Sequence, residues 1–258
     1  MGKVFLVGAG PGDPELLTCK ALRLIRSAGI VLHDSLVSEE ILRLVPRMAE
    51  RIDVGKRRGY RLLTQQDINS LLVAAAELHE VVVRLKGGDP LLFGRAAEEI
   101  QALRDRAVEF EIVPGISAAF GAAAAARVPL TNRSLASNLL FTTYSRSPEA
   151  VEQLRNSLTA DTTVVVYMPG VHYADVSQWL LGAGIAYGSP CLVISKATQP
   201  DQIRVLSTAG NLATLSPLPA PAILIVGRTV APEIVAPLAT DWRGSSDHIQ
   251  IAEDTLIS

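Results

Sequence analysis

The sequence predicts an α/β protein whose sheets are mainly parallel. Short runs of β-branched residues alternate with helical patterns over most of the chain, which is typical of strand–helix–strand units. Apolar residues make up 48% of the 258 residues and aromatic residues only 5%, and this mixture, rich in Ala, Val, Leu and Ile, suits buried parallel strands covered by helices. A chain of this length can form one large domain or two modest ones, each with its own core.

The first half of the chain contains the clearest elements. Residues 4–7 predict a strand, Asp13 and Pro14 a helix start, and Gly29 the end of that helix. Thr64 and Asp67 have the spacing of a capping box at the start of another helix. Further strands are predicted at 30–33, 81–85 and 110–113, and further helices after Ser38, from about Gly94 and after Gly115.

A break in this pattern predicts the domain boundary. Pro129 and the polar residues 131–134 interrupt the alternation. We therefore expect an N-terminal α/β domain at 1–132, a C-terminal α/β domain at 133–234 and a polar, peripheral tail at 235–258. Strands of the second domain are predicted near 139–142 and at 164–167, 191–195, 203–206 and 223–226.

Composition excludes several functional classes. The net charge of -2 argues against a nucleic-acid-binding protein, which normally carries a basic stripe. Cys19 and Cys191 are far apart without metal or redox spacing, so we expect no metal site and two buried thiols in a reducing compartment. The apolar run at the N-terminus is too short for a signal peptide, and the stretch 118–126 is too short to span a bilayer. The cytoplasm is the expected location, with no membrane partner.

A glycine-rich loop at 8–13 follows the first predicted strand and reads GAGPGD. Glycines at such a point let the backbone turn tightly and approach a ligand. A dinucleotide site fits poorly, because Pro11 removes a backbone donor where a pyrophosphate-binding turn needs N–H groups. By itself the loop is better explained as a tight turn.

A second glycine turn follows the strand at 81–85. Gly87 and Gly88 open space at the carboxyl end of a strand, where open α/β sheets bind small molecules. Asp89 could accept a hydrogen bond from a ribose hydroxyl or an ammonium group, or it could be an ordinary turn residue before a proline. Asp34 and Lys56 also follow predicted strands, although each alone is better explained as a helix cap and as part of a solvated basic loop.

Taken in order, these loops resemble one known family. The strings VGAGPGDPELLT, HDSLVS, VGKRRG, VVRLKGGDPLLFGR and VPGIS, followed by VPLTNR, the pair YM and PAILIVG, resemble the uroporphyrinogen-III C-methyltransferases over roughly residues 3–232. The resemblance implies the tetrapyrrole-methylase fold, with two α/β domains, a cofactor trough between them and a homodimer. It also implies S-adenosyl-L-methionine as methyl donor, with S-adenosyl-L-homocysteine as product, and a tetrapyrrole substrate.

The resemblance further implies a role for individual residues. Asp34 and Lys56 match the positions assigned as proton acceptor and proton donor. Because the substrate carries eight carboxylates, arginines on the edge loops are expected to bind it in a bidentate way. The residues implied for the cofactor are Pro11, Gly87, Gly88, Asp89, Leu92, Ser117, Ala118, Met168, Ala197 and Ala222, and those expected for the substrate are Arg57, Arg58, Arg95 and Arg133.

The predicted function is therefore S-adenosylmethionine-dependent C-methylation of uroporphyrinogen III at two pyrrole carbons, which gives precorrin-2 for sirohaem or cobalamin biosynthesis. Two alternatives stay open: another precorrin methyltransferase of the same fold, and a non-catalytic paralogue that binds cofactor or tetrapyrrole. Several positions depart from the family pattern near the expected substrate cavity, namely Ser35, Ala96, Ala97, Asn132 and Tyr144.

Overall fold

The computed structural model describes residues 1–55, 63–231 and 249–251. It divides into two compact units, Met1–Ala118 and Ala119–Ser258. Each unit is built on its own β-sheet, with helices packed against it, so the α/β fold class is confirmed.

The first unit contains a five-stranded, all-parallel sheet with the strand order β3-β2-β4-β1-β5. Because the strands are parallel, all of their carboxyl ends lie at one edge, and the loops that follow them meet there. The strands are β1 Lys3–Gly8, β2 Ile30–His33, β3 Glu50–Asp53, β4 Val81–Lys86 and β5 Phe110–Val113, and the helices are α1 Cys19–Ser27, α2 Glu39–Leu42, α3 Gln65–Leu78 and α4 Ala96–Asp105.

Local capping residues set the ends of these helices. The predicted capping box at α3 is confirmed, since Thr64 Oγ1 accepts from the Asp67 backbone and the Asp67 carboxylate accepts from the Thr64 backbone. The single helix predicted from Asp13 is in fact two elements. Asp13 caps a short 3-10 helix, Pro14–Leu16, and Thr18 then caps α1 through its own hydroxyl.

Strand β4 lies in the middle of the sheet and is buried on both faces. Val83 and Leu85 pack into the core beneath α1 and α2, whereas Val82 packs into the opposite core with Leu72 and Leu103 of α3 and α4. Full burial of such a side chain contributes roughly 1.5–3 kcal/mol. The same alternation places Arg84 and Lys86 on the α4 side of the sheet.

The second unit contains a mixed sheet with the order β11-β9-β8-β10-β7-β6. It differs from the parallel pairing expected, because β10 is antiparallel to both neighbours and β8 is antiparallel to β9. The short connection 196–202 explains the β8–β9 pair, since a parallel crossover needs a dozen or more residues. The elements are α5 Ala118–Ala126, β6 Asn138–Thr143, α6 Pro148–Ser157, β7 Thr162–Tyr167, α7 Tyr173–Gly182, β8 Pro190–Ser195, β9 Ile203–Thr208, β10 Ala222–Val226 and β11 Ile249–Ile251.

The division between the units falls at Ala118, whereas the sequence predicts it after residue 132. The boundary lies earlier in the chain than predicted because α5 packs against the second sheet. The Phe120 ring packs edge-on against Phe141, with ring centroids 5.8 Å apart, and the Ala125 carbonyl accepts a hydrogen bond from Arg204 at 3.2 Å.

Two further expectations concern the C-terminal tail and the cysteines. Within the predicted tail, 235–258, the segment β11 pairs in parallel with β9 at the sheet edge. Cys191 is buried as expected, but Cys19 is exposed, because it begins α1 on the side facing solvent.

Among the helices of residues 1–55 and 63–231, none is long and apolar enough to cross a membrane.

Candidate active site

The loops after β1 and β4 are joined at the carboxyl edge of the first sheet. Gly10 N donates to Gly88 O at 3.2 Å, and Gly88 N donates to Gly10 O at 2.8 Å. Ala9 N also donates to Lys86 O at 2.7 Å. Gly88 has φ of +67°, a left-handed conformation that favours glycine. The two glycine turns identified in the sequence therefore form one backbone unit.

The loop after β5 packs directly onto this unit. A Cβ atom at Gly115 would lie 2.3 Å from Gly88 O and 2.8 Å from the Cα of Gly8. A Cβ atom at Gly8 would lie 2.6 Å from the Cα of Gly115. Because these contacts are with backbone, a side chain at either position would force the three loops apart. The glycines are thus required for the close approach of β1, β4 and β5 loops.

The side chain of Asp89 forms hydrogen bonds within the loop after β4 and to the loop after β5. Its Oδ1 accepts from Leu91 N at 2.9 Å, and its Oδ2 accepts from Gly115 N at 3.1 Å. The turn-residue interpretation of Asp89 therefore describes part of what it does. The ligand interpretation stays compatible with it, because an ionised carboxylate has about four lone-pair sites.

Asp34 directly follows β2 at the same edge. Its backbone N donates to Leu85 O at 3.2 Å, which places it beside the end of β4. Its Oδ1 accepts from Arg84 Nη2 at 2.5 Å, and its side chain is 28% exposed. The carboxylate is thus held on one side and open to solvent on another.

Arg84 belongs to a group that we call the buried charge cluster: Arg84, Lys86 and Glu99. Glu99 on α4 is fully buried and accepts from Arg84 Nε at 2.9 Å and from Lys86 Nζ at 2.9 and 3.0 Å. Burial alone would lower the pKa of Arg84, but the carboxylates of Asp34 and Glu99 outweigh it and raise that pKa. Burial, together with the charge of Arg84, lowers the pKa of Lys86 despite its contact with Glu99.

The sequence interpretation missed this cluster, although two signals for it are present. Arg84 and Lys86 alternate within a strongly apolar strand, so both point to one face. Glu99 lies between Ala96 and Leu103 on the buried stripe of α4. Charged residues on buried faces of both elements indicate a paired cluster, since unpaired buried charges are very costly.

The other cofactor residues predicted in the first unit lie on the same edge loops. Pro11 and Ser117 are buried, and Leu92 and Ala118 are half-buried. Ala118 N lies 3.4 Å from the position that a Cβ atom at Gly88 would take. The structure thus brings these positions to the loops that follow β1, β4 and β5.

The cofactor residues predicted in the second unit also share one edge, that of the second sheet. Met168 follows β7, Ala197 follows β8, and Ala222 begins β10, which lies between those two strands. Lys196 N donates to Pro221 O at 2.8 Å, joining two of the three segments. Met168 has φ of +50° and a 60% exposed side chain, so it is presented to solvent at this edge.

Of the four arginines expected to bind substrate, two are described. Arg95 is exposed and forms a bidentate ion pair with Glu98, with both N–O distances 2.7 Å. Arg133 is exposed on the loop before β6. Lys56, Arg57 and Arg58 lie outside the described residues. In the described part of the chain, no group of His, Cys, Asp and Glu side chains could hold a metal ion.

A cavity of about 330 Å³ lies elsewhere in the second unit. Its lining includes Thr162 at the start of β7, Pro190 at the start of β8, and Gly227 after the end of β10. Met168 and Ala197 follow the opposite ends of β7 and β8. The cavity is therefore at the other edge of this sheet and does not coincide with the predicted cofactor residues.

Comparison with known proteins gives a consistent result. The model of the tetrapyrrole (corrin/porphyrin) methylases matches residues 3–213. The chain is 43% identical over 236 residues to uroporphyrinogen-III C-methyltransferase of Paracoccus denitrificans, an alignment covering 90% of this chain and 82% of that protein. It is 44% identical to siroheme synthase of Hahella chejuensis, covering 89% of this chain and 50% of that protein, so the chain spans half the length of that relative.

Comparison with solved structures agrees with this result. The chain resembles the uroporphyrin-III C-methyltransferase of Thermus thermophilus in complex with S-adenyl homocysteine, with a TM-score of 0.75 and 37% sequence identity. The similarity covers 89% of this chain and 99% of that one.

Proposed function

Because this chain belongs to the tetrapyrrole methylase family, we propose that it transfers methyl groups from S-adenosylmethionine to two pyrrole carbons of uroporphyrinogen III, giving precorrin-2. The similarity to the Paracoccus enzyme, which covers 90% of this chain and 82% of that protein, carries the proposal. The region matched by the family model, 3–213, contains both Asp34 and the Gly87–Gly88–Asp89 turn.

S-adenosylmethionine, when bound, supplies an electrophilic methyl group on a sulfonium centre. The edge loops of the first unit fit such a ligand. Gly87 and Gly88 carry no side chains, and Gly87 is half-buried, so a ligand can approach the backbone of this turn closely. Asp89 has lone pairs beyond those that accept from Leu91 and Gly115, and these can accept from a ribose hydroxyl or an ammonium group.

The residues of this chain have three tasks in the reaction. They hold the pyrrole carbon and the methyl group in line, which is catalysis by positioning. They provide a negative charge near the pyrrole ring, which becomes cationic when its carbon has formed the new bond. They then accept the proton that the ring must lose. Asp34 performs the second and third tasks, because its carboxylate is fixed at the sheet edge and partly exposed. Lys56 is the proposed proton donor.

Methyl transfer is tested by incubating the protein with uroporphyrinogen III and methyl-labelled S-adenosylmethionine, followed by mass spectrometry of the tetrapyrrole product. Two labelled methyl groups are expected for each product molecule. Transfer only to an already methylated precorrin would favour another precorrin methyltransferase. A single methyl group on uroporphyrinogen III would contradict the proposed double methylation. S-adenosylhomocysteine binding without any transfer would favour the non-catalytic paralogue.

The proposal includes a cytoplasmic homodimer, as the family resemblance implies. Light scattering coupled to size-exclusion chromatography should give twice the mass of one chain, independent of protein concentration over the micromolar range. A mass of one chain throughout that range would contradict the homodimer but would leave the proposed reaction intact.

A further inference from the structure

The buried charge cluster of Arg84, Lys86 and Glu99 is a costly arrangement for a protein core. All three residues are nearly inaccessible, with exposures of 2%, 3% and 0%. Removing charges from water carries a large desolvation penalty, and well-packed apolar residues are often at least as stabilising as a buried ion pair. Stability alone therefore does not explain why β4 places two cations against α4.

The contacts of Arg84 join α4 to the edge of the sheet. Its Nε donates to Glu99 on α4, and its Nη2 donates to Asp34 after β2. Its Nη1 lies 3.3 Å from Leu85 O and 3.5 Å from Leu32 O. The planar guanidinium group is therefore held by α4 and by two strands, with one of its two outer nitrogens pointing at Asp34.

The buried charge cluster carries one more positive than negative charge, so it can pair with one further carboxylate. Arg84 and Lys86 carry two positive charges when ionised, and Glu99 carries one negative charge. The two oxygens of Glu99 both accept from Lys86, and only one of them also accepts from Arg84. The excess positive charge is therefore on the Arg84 side, and Asp34 supplies the charge that balances it.

We propose that Arg84 is a positioning residue, which fixes the carboxylate of Asp34 at the sheet edge while Glu99 fixes Arg84. The inference rests on the proposed role of Asp34 in methyl transfer. A partly exposed aspartate without such a partner would sample several side-chain rotamers, and a displacement of about 1 Å of a catalytic group can reduce turnover by about 100-fold.

A double-mutant cycle tests the inference with Arg84→Met and Asp34→Asn, alone and combined. In the parent background, Arg84→Met should reduce kcat by about 10- to 100-fold. The KM for uroporphyrinogen III and the Kd for S-adenosylhomocysteine should stay within about threefold. In the Asp34→Asn background, the same change should reduce kcat by less than about threefold, because there is no catalytic carboxylate left to position.

Two further variants separate positioning from loss of stability. Arg84→Lys keeps the buried positive charge but loses the fork that reaches both carboxylates, so it should fold and still reduce kcat in the parent background only. Thr163→Val removes a buried hydrogen bond to Thr229 in the second unit and should destabilise the protein without changing kcat below its unfolding temperature.

The outcomes that overturn the inference are distinct. An equal reduction of kcat by the Arg84 variants in both backgrounds would show that Arg84 does not act through Asp34. A rise in KM at unchanged kcat would assign Arg84 to substrate binding instead. Full turnover of Asp34→Asn alone would reject the proposed role of Asp34 and, with it, this inference, whereas an additive cycle rejects the inference alone.

Discussion

At the scale of single residues, Asp34 combines two properties that a proton acceptor needs. Its carboxylate is held by Arg84 at 2.5 Å, and its side chain is 28% exposed. An aspartate in solvent is mobile, and a fully buried one has no access to substrate. The structure thus gives the strand-end aspartate a fixed position at the edge of the sheet, beside the Gly87–Gly88–Asp89 turn.

Replacing Asp34 with Asn should reduce kcat by about 100-fold or more, because removing a positioned acid–base group typically costs that much. The Kd for S-adenosylhomocysteine should stay within about threefold, since Asn keeps the shape of the side chain. Steady-state methylation assays and ligand titration measure both quantities. Asp105→Asn, at an exposed carboxylate near the end of α4, is the matched control and should leave kcat unchanged. Parental turnover in Asp34→Asn would contradict the proposed mechanism.

Gly115 shows how a missing side chain supports the candidate site. A Cβ atom there would lie 2.3 Å from Gly88 O, so Gly115→Ala must separate the β4 and β5 loops. We expect a loss of about 1–3 kcal/mol in the free energy of unfolding, as for other overpacked positions, together with weaker S-adenosylhomocysteine binding. Urea unfolding and ligand titration measure the two effects. Gly188→Ala is the control, because a Cβ atom there meets nothing within 4 Å; equal losses in both variants would contradict the steric argument.

The residues that sequence interpretation finds are those with short-range signals. Glycines and Asp34 immediately follow predicted strands, and the carboxyl ends of parallel strands share one edge. The pairing of Arg84 with Asp34 is different, because the two residues are brought together only by the register of β2 beside β4. A single sequence does not reveal which residues of β2 and β4 are paired, and the cluster was therefore missed.

At the scale of elements, Glu99 connects α4 to β4 by charge as well as by packing. Glu99→Gln removes the negative charge that lies between Arg84 and Lys86. Breaking a buried ion pair typically costs about 3–5 kcal/mol, because the remaining charges stay buried without compensation. Urea unfolding should show a loss of this size. Glu98→Gln is the control: Glu98 is adjacent on the same helix, but it is exposed and its ion pair with Arg95 lies at the surface, so this change should affect stability little. A small change in both variants would contradict a charge-based contribution.

Asp161, in the loop before β7, makes a pH-dependent contribution to the free energy of unfolding. Hydrogen bonds from Ser137, Thr159 and Asn138 lower the pKa of Asp161 from 3.8 to about 2. Because the folded pKa is the lower one, ionised Asp161 stabilises the folded state above pH 3.8, and this contribution is lost as the pH falls towards 2. The difference in unfolding free energy between the parent and Asp161→Asn should therefore shrink over that interval. Urea unfolding at several pH values measures it, and a constant difference down to pH 2 would contradict the assignment.

Element types were predictable where the local signals agree. The capping box at Thr64 and the apolar run of β4 gave correct elements because cap chemistry and periodicity indicate the same structure. Near Asp13 two cap signals compete. Thr18 begins a better amphipathic helix, so the chain makes a short 3-10 turn first. Strand direction in the second sheet has no local signal, and the short connection after β8 accounts only for the antiparallel pairing of β8 with β9.

At the scale of the whole molecule, each unit has its own hydrophobic core. The cores of the first unit lie on the two faces of its parallel sheet, and the second unit has a core that includes Trp179 and Tyr173. The α/β class was predictable, because composition and alternation of elements apply to the entire chain. The boundary between the two units was not predictable, because it depends on the tertiary contacts of α5 with Phe141 and Arg204.

The predicted cofactor residues are divided over both units, and ligand-linked unfolding tests this distribution. S-adenosylhomocysteine at about 100 times its Kd should raise the free energy of unfolding by about 2.7 kcal/mol, because it binds only the folded state. Trp179 is buried in the core of the second unit, so its fluorescence reports that unit, whereas circular dichroism reports both. If Met168, Ala197 and Ala222 bind the cofactor, both signals should shift with ligand. A shift in circular dichroism with an unchanged fluorescence transition would mean that the second unit contributes nothing to binding, and would confine the cofactor to the loops after β1, β4 and β5.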